Sequence, residues 1–152
     1  MRMPKRSAGI LLYKRGAGEL LVLLAHSGGP FWQKRDLGAW TIPKGEFESG
    51  EVPEDAARRE FREELGMDAT GPPQSLGEVT QKGGKHVIAF ALEGDFDVSA
   101  LRSNTFELEW PPRSGRIVTF AEIDKVEWMT LATARKKILP GQAPLLDRLA
   151  EG

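Results

Sequence analysis

Residues 7–14 and 19–26 are predominantly apolar runs, polar only at their ends, and Arg15-Gly16-Ala17-Gly18 parts the two. Ile-, Leu- and Val-rich runs of this length around a turn-forming cluster predict a β-hairpin whose strands are both largely buried. Residues 75–80 and 86–92 predict a second strand pair around the glycine-containing turn 81–85. Residues 106–110 alternate apolar and acidic side chains until Pro111-Pro112-Arg113-Ser114-Gly115-Arg116 breaks the pattern, and residues 117–120 and 126–129 are strand-like. Helical spacing is found from Pro53 to Leu65, from a Thr130 cap through Ile138, and over 143–150 with Pro144 in the first turn. Residues 26–38 and 68–73 read as loops.

The helix over 53–65 carries the chemistry. Ala57, Phe61 and Leu65 form an apolar seam, and Asp55, Arg58 and Arg62 are expected to face solvent. Glu60, Glu63 and Glu64 stand at i, i+3 and i+4, so three carboxylates share one stripe along the edge of the core. Like charges so placed repel. A hard divalent cation would neutralise them, and oxygen ligands without cysteine suit Mg²⁺ or Mn²⁺ rather than zinc. The plainer alternative is a solvated acidic face with Arg59 as its partner. At the helix start Val52 is a poor N-cap, for which Pro53, Glu54 and Asp55 compensate, and Gly66 is placed to end the helix in a left-handed conformation.

The chain has 152 residues, which predicts one domain over 1–152. A net charge of −1 leaves no global field to draw it to nucleic acid or a membrane, so anion binding must be local. The absence of cysteine excludes a disulfide framework and thiolate metal sites, and a cytoplasmic location suits it. The basic start MRMPKRSAG precedes an apolar run too short for a signal peptide or a membrane span. The sequence leaves the oligomeric state open.

Gly45, Glu51, Arg59-Glu60-Phe61, Glu63-Glu64 and Gly66-Met67 stand at a spacing that resembles the Nudix box at every defined position. The resemblance implies an α/β/α sandwich with a mixed β-sheet and a catalytic loop-helix-loop. It also implies hydrolysis of a nucleoside diphosphate linked to another group, cut within a phosphoanhydride. By the same resemblance, Glu60 and Glu64 are metal ligands together with the Lys44 carbonyl, and Glu63 either joins them or polarises the attacking water. Gly45, Glu51, Arg59 and Gly66 are then structural, with Arg59 pairing with Glu51 or orienting Glu60. Glu122 stands at a family-like spacing for a further base or ligand, with Glu107 and Glu109 as competitors.

Substrate contacts are expected from Lys44, from Lys85 at a strand end, and from Trp32 and Arg35 in a loop that can stack a nucleobase and hold phosphate. The alternative for Phe31 and Trp32 is that they close the edge of the core. The lead-in Trp40-Thr41-Ile42-Pro43-Lys44-Gly45 resembles that of diadenosine and diphosphoinositol polyphosphate hydrolases, and Lys44 suits a longer polyphosphate. A dinucleoside polyphosphate such as diadenosine tetraphosphate is therefore the favoured substrate. The alternatives are a nucleoside triphosphate pyrophosphohydrolase and a nucleotide-binding sensor that does not cut.

Overall fold

The computed structural model describes residues 5–152, and residues 1–4, part of the basic start, lie outside the described residues. In chain order the elements are β1 Arg6–Gly16, β2 Glu19–Ser27, β3 Trp40–Thr41, β4 Lys44–Glu46, α1 Pro53–Leu65, β5 Gln74–Thr80, β6 His86–Glu93, β7 Thr105–Glu109, β8 Ile117–Ala121, β9 Ile123–Thr130, α2 Leu131–Lys137 and α3 Ala143–Glu151. A seven-stranded sheet runs β3-β2-β1-β6-β5, with β4 added to β1 and β9 to β2. The β1–β6 pair is parallel and the others are antiparallel, so the sheet is mixed.

Alternation along the central strands divides the interior in two. Ile10, Leu12, Leu23 and Ala25 pack with Ala56, Ala57, Phe61 and Leu65 of α1. Leu11, Val22 and Leu24 point the other way, onto Ala134, Leu145, Leu146 and Leu149 of α2 and α3. Helices thus cover both faces of the sheet, the α/β/α arrangement. Strands buried on both sides have no polar face, which is why β1 and β2 read as continuous apolar runs.

The predicted limits of α1 hold. Val52 is extended and offers no side-chain cap, Pro53 opens the helix, and Gly66 at φ 84 returns its N–H to the Arg62 carbonyl. Arg58 departs from expectation. The chain after α1 folds back along the helix, burying Ala69, and the Arg58 guanidinium donates to the Ala69 and Gly71 carbonyls. A residue expected to face solvent instead fastens that loop. Strands β7 and β8 form a separate two-stranded ribbon. Among the described residues no helix is long and apolar enough to cross a membrane.

Candidate active site

Lys44 stands opposite Gly9 of β1, and Ile10 N–H donates to the Pro43 carbonyl at 3.1 Å. Neighbouring residues of a strand present their polar groups to opposite edges, so the Lys44 N–H and C=O point away from β1. The N–H meets the Glu64 carboxylate. Only a glycine allows this approach at position 9, since a Cβ there would stand 2.6 Å from the Pro43 oxygen and 2.7 Å from the Lys44 Cβ. Gly45 likewise leaves room for a neighbour, because a Cβ on it would overlap the Glu60 carboxylate.

Glu64 falls inside the apolar seam of α1 and is 7% exposed. Burial pushes its carboxyl up to about 8, reinforced by Glu60 and Glu122, while the Lys44 charge and N–H pull the other way. Burial also raises Glu60, against the hydrogen bond and charge of Arg59, and Glu63 and Glu122 add to the rise. The Arg59 fork donates to both Glu51 oxygens at 3.0 and 3.1 Å and to Glu60 Oε1 at 2.7 Å. Its bonds to Glu51 come first among the causes that raise the guanidinium further above its usual range. Glu63, one turn on, lies 3.4 Å from the same guanidinium.

Glu122 reaches the group from the link between β8 and β9. Its N–H donates to the Asn104 carbonyl and its carbonyl accepts from Gly28, both at 2.8 Å, while Asn104 N–H donates to the Glu63 carbonyl at 2.9 Å. One short segment therefore ties the end of α1 to Glu122. The structure brings Lys44, Glu60, Glu64 and Glu122 into one electrostatic neighbourhood, with Glu63 at its rim. Burial lowers the Lys44 ammonium, Glu64 opposes this, and the Lys85 charge adds to it.

Trp32 and Arg35 are organised differently. Trp32 is half-buried against the core on the α2 and α3 face, and Arg35 lies over its ring at 5.5 Å. Among the described residues neither bonds to Lys44 or to the glutamates. Their loop is pinned by His26, which is 1% exposed: Nε2 donates to the Arg35 carbonyl at 2.7 Å, and Nδ1 meets Asp124 at 2.9 Å. Phe31 is exposed and packs edge-on against Trp110 of the ribbon. The sequence reading missed Gly9, Asn104, His26 and Gln142. Their partners are distant in the chain, and no local spacing marks them.

Among the described residues no group of three or more His, Cys, Asp or Glu is gathered tightly enough to hold a metal alone. The donors present nevertheless fit a hard divalent cation. They are carboxylate oxygens, at least two of them crowded and desolvated, beside a Lys44 carbonyl edge that β1 leaves unused. Mg²⁺ takes one or two carboxylates and completes its shell with water and substrate phosphates.

The NUDIX domain family model matches residues 3–149. The Nudix hydrolase YvcI of Bacillus subtilis is 30% identical over 122 residues, which are 79% of this chain and 70% of that protein. An RNA pyrophosphohydrolase of Rhodospirillum rubrum is 39% identical over 66 residues, 41% of this chain and 38% of that protein. Among solved structures, a binary complex of the C. elegans Ap4A hydrolase superposes with a TM-score of 0.65 at 23% identity, covering 97% of this chain and 96% of that one. At that identity the likeness is one of fold.

Proposed function

Because this chain belongs to the Nudix family and is a pyrophosphohydrolase, we propose that it hydrolyses a phosphoanhydride bond of a nucleoside polyphosphate with Mg²⁺ or Mn²⁺, preferring dinucleoside polyphosphates such as diadenosine tetraphosphate. Hydrolases of this family generally use divalent metal ions. The observation that carries the reading is the convergence of Glu60, Glu64 and Glu122 beside the unused Lys44 edge. Burial raises both Glu60 and Glu64, and the charge of the exposed Glu122 adds to the rise in each, so the metal-free arrangement is disfavoured, as a cation site built from carboxylates entails.

A divalent cation, when bound, neutralises the polyphosphate, aligns the anhydride for in-line attack and makes the attacking water more acidic. The chain's own residues supply the rest. Glu60 and Glu64, with the Lys44 carbonyl, are the proposed metal ligands, and Arg59 holds the Glu60 carboxylate in place through Oε1. Glu122 is exposed and forms no ion pair among the described residues, which suits it to take the proton from water. Glu63, shared with Arg59, is the other candidate for that role. The Lys44 and Lys85 ammoniums offset phosphate charge, and Trp32 and Arg35 are proposed to contact the nucleoside end. Every box carboxylate is retained, which favours catalysis over a sensor that only binds.

A panel of diadenosine polyphosphates, nucleoside triphosphates and other diphosphate-linked nucleotides tests this with Mg²⁺ or Mn²⁺ present. The reading expects highest kcat/KM on a dinucleoside polyphosphate, loss of turnover in Glu64→Gln, and a kcat lowered roughly a hundredfold or more in Glu122→Gln at saturating metal. Highest kcat/KM on a nucleoside triphosphate would move the substrate to that class. A wild type inert on the whole panel would instead favour the sensor.

A further inference from the structure

Gln142 lies just before α3, where a side chain ordinarily caps the helix, yet it makes no cap hydrogen bond to it. Its amide turns inward and is fully buried. Oε1 accepts from Ile42 N–H at 3.0 Å, and Nε2 donates both protons, to Thr41 Oγ1 and to Gln81 Oε1, each at 2.8 Å. The Thr41 hydroxyl in turn donates to the Ile42 carbonyl at 2.8 Å. A backbone N–H needs an acceptor, so the orientation of the Gln142 amide is fixed and both of its donors are used.

The two ends of this network lead to two lysines. Ile42 is followed by Pro43, whose carbonyl is taken by Ile10, and then by Lys44. Gln81 opens the turn before β6, with its N–H donating to the Lys85 carbonyl at 2.7 Å and its carbonyl accepting from Gly84 at 3.1 Å. The chain around Gln142 is seated independently: Leu139 N–H donates to the Trp40 carbonyl at 2.7 Å, and a Cβ on Gly141 would stand 2.9 Å from the Gln81 Cα. A single buried amide thus spans the segment that leads from β3 to Lys44 and the turn that ends at Lys85.

We propose that Gln142 is a positioning residue of the pyrophosphohydrolase: it sets the Lys44 carbonyl toward the carboxylates and holds the Lys44 and Lys85 ammoniums at a fixed separation to receive the phosphate chain. This rests on Lys44 acting as proposed above. Gln142 touches neither substrate nor metal. Its effect passes through the backbone of residues 41–44 and through Gln81.

Gln142→Met keeps the volume and removes all three hydrogen bonds, Gln142→Glu keeps an acceptor for Ile42 but cannot donate, and Gln81→Met severs only the link to the Lys85 turn. The readouts are Mn²⁺ affinity by calorimetry, hydrogen exchange of the Ile42 amide, and KM against kcat on the best nucleotide. Gln142→Met is expected to speed Ile42 exchange, to weaken Mn²⁺ on the order of tenfold and to raise KM by a similar factor. Gln81→Met is expected to raise KM several-fold and leave Mn²⁺ affinity unchanged, and Gln142→Glu to keep Ile42 protected while raising KM. If Gln142→Met does not fold, the other two variants carry the test. Variants that lower Tm yet leave Mn²⁺ affinity and KM within twofold of wild type overturn the proposal. Should the wild type cut no nucleotide, a loss of Mn²⁺ affinity in Gln142→Met still supports the positioning of Lys44 while the substrate reading falls.

Discussion

Gly45 needs to be glycine for space rather than for backbone conformation. It is absent from the positive-φ residues, so alanine would meet no strain there, but its Cβ would overlap the Glu60 carboxylate. That carboxylate cannot move freely, because Arg59 grips it at 2.7 Å and is itself braced by two bonds to Glu51. Gly45→Ala should therefore disturb the site more than the fold. Calorimetric titration is expected to show Mn²⁺ affinity reduced by on the order of tenfold or more, with Tm lowered only slightly. A variant that binds Mn²⁺ as wild type does would mean that Glu60 has another place to go. That Glu60, Glu63 and Glu64 share one stripe of α1 was legible because their spacing is local, within one helical turn, whereas the chemistry proposed for them came from the resemblance of the whole stretch. Gly9 and Gln142 support the stretch from Thr41 to Lys44 from far away in the chain, and neither residue type carries a signal of its own.

The weakness at the start of α1 can be repaired without touching the site. Val52 holds the extended φ and ψ of an N-cap and is 57% exposed, and while its carbonyl accepts from Ala56 N–H, its side chain offers the first turn no acceptor. Serine fits the same backbone and supplies the missing acceptor, so Val52→Ser should stabilise the protein by about 1 kcal/mol. For a chain of this size that corresponds to a Tm higher by about 2–4 °C, with kcat unchanged. A Tm that stays put would show that Pro53 and the acidic first turn already do the work of a cap. Both ends of α1 could be read from its residues, since Val52, Pro53 and Gly66 act through their own backbone. The use of Arg58 could not be read, because it depends on where the following loop goes. Helical spacing places a side chain on the outer face of a helix without saying whether solvent or another segment lies there.

For the whole molecule, the strands were legible but their arrangement was not. A hairpin follows from two apolar runs around a turn, whereas the parallel pairing of β1 with β6 joins residues 6–13 to 86–93 with α1 between them. Nothing in either strand names the other. That pairing places the two apolar clusters back to back on one sheet, with Leu11 serving one side and Ile10 and Leu12 the other. Loosening one face would free the strands that form the other, so we propose that the chain folds as one domain with a single cooperative transition. Trp40 is buried on the α2 and α3 side and Trp128 packs on the α1 side, so each reports one face. Variants that keep Trp40 or Trp128 as their single tryptophan, the other three replaced by phenylalanine, should unfold by fluorescence at the midpoint seen by far-UV circular dichroism. Two separated midpoints would divide the molecule at the sheet. The β7–β8 ribbon is the expected exception: Phe106, Leu108, Trp110 and Phe120 belong to neither cluster, so its amides should exchange with solvent ahead of those in β1 and β6. Ribbon amides protected as strongly as β1 would show that the ribbon opens only with the whole.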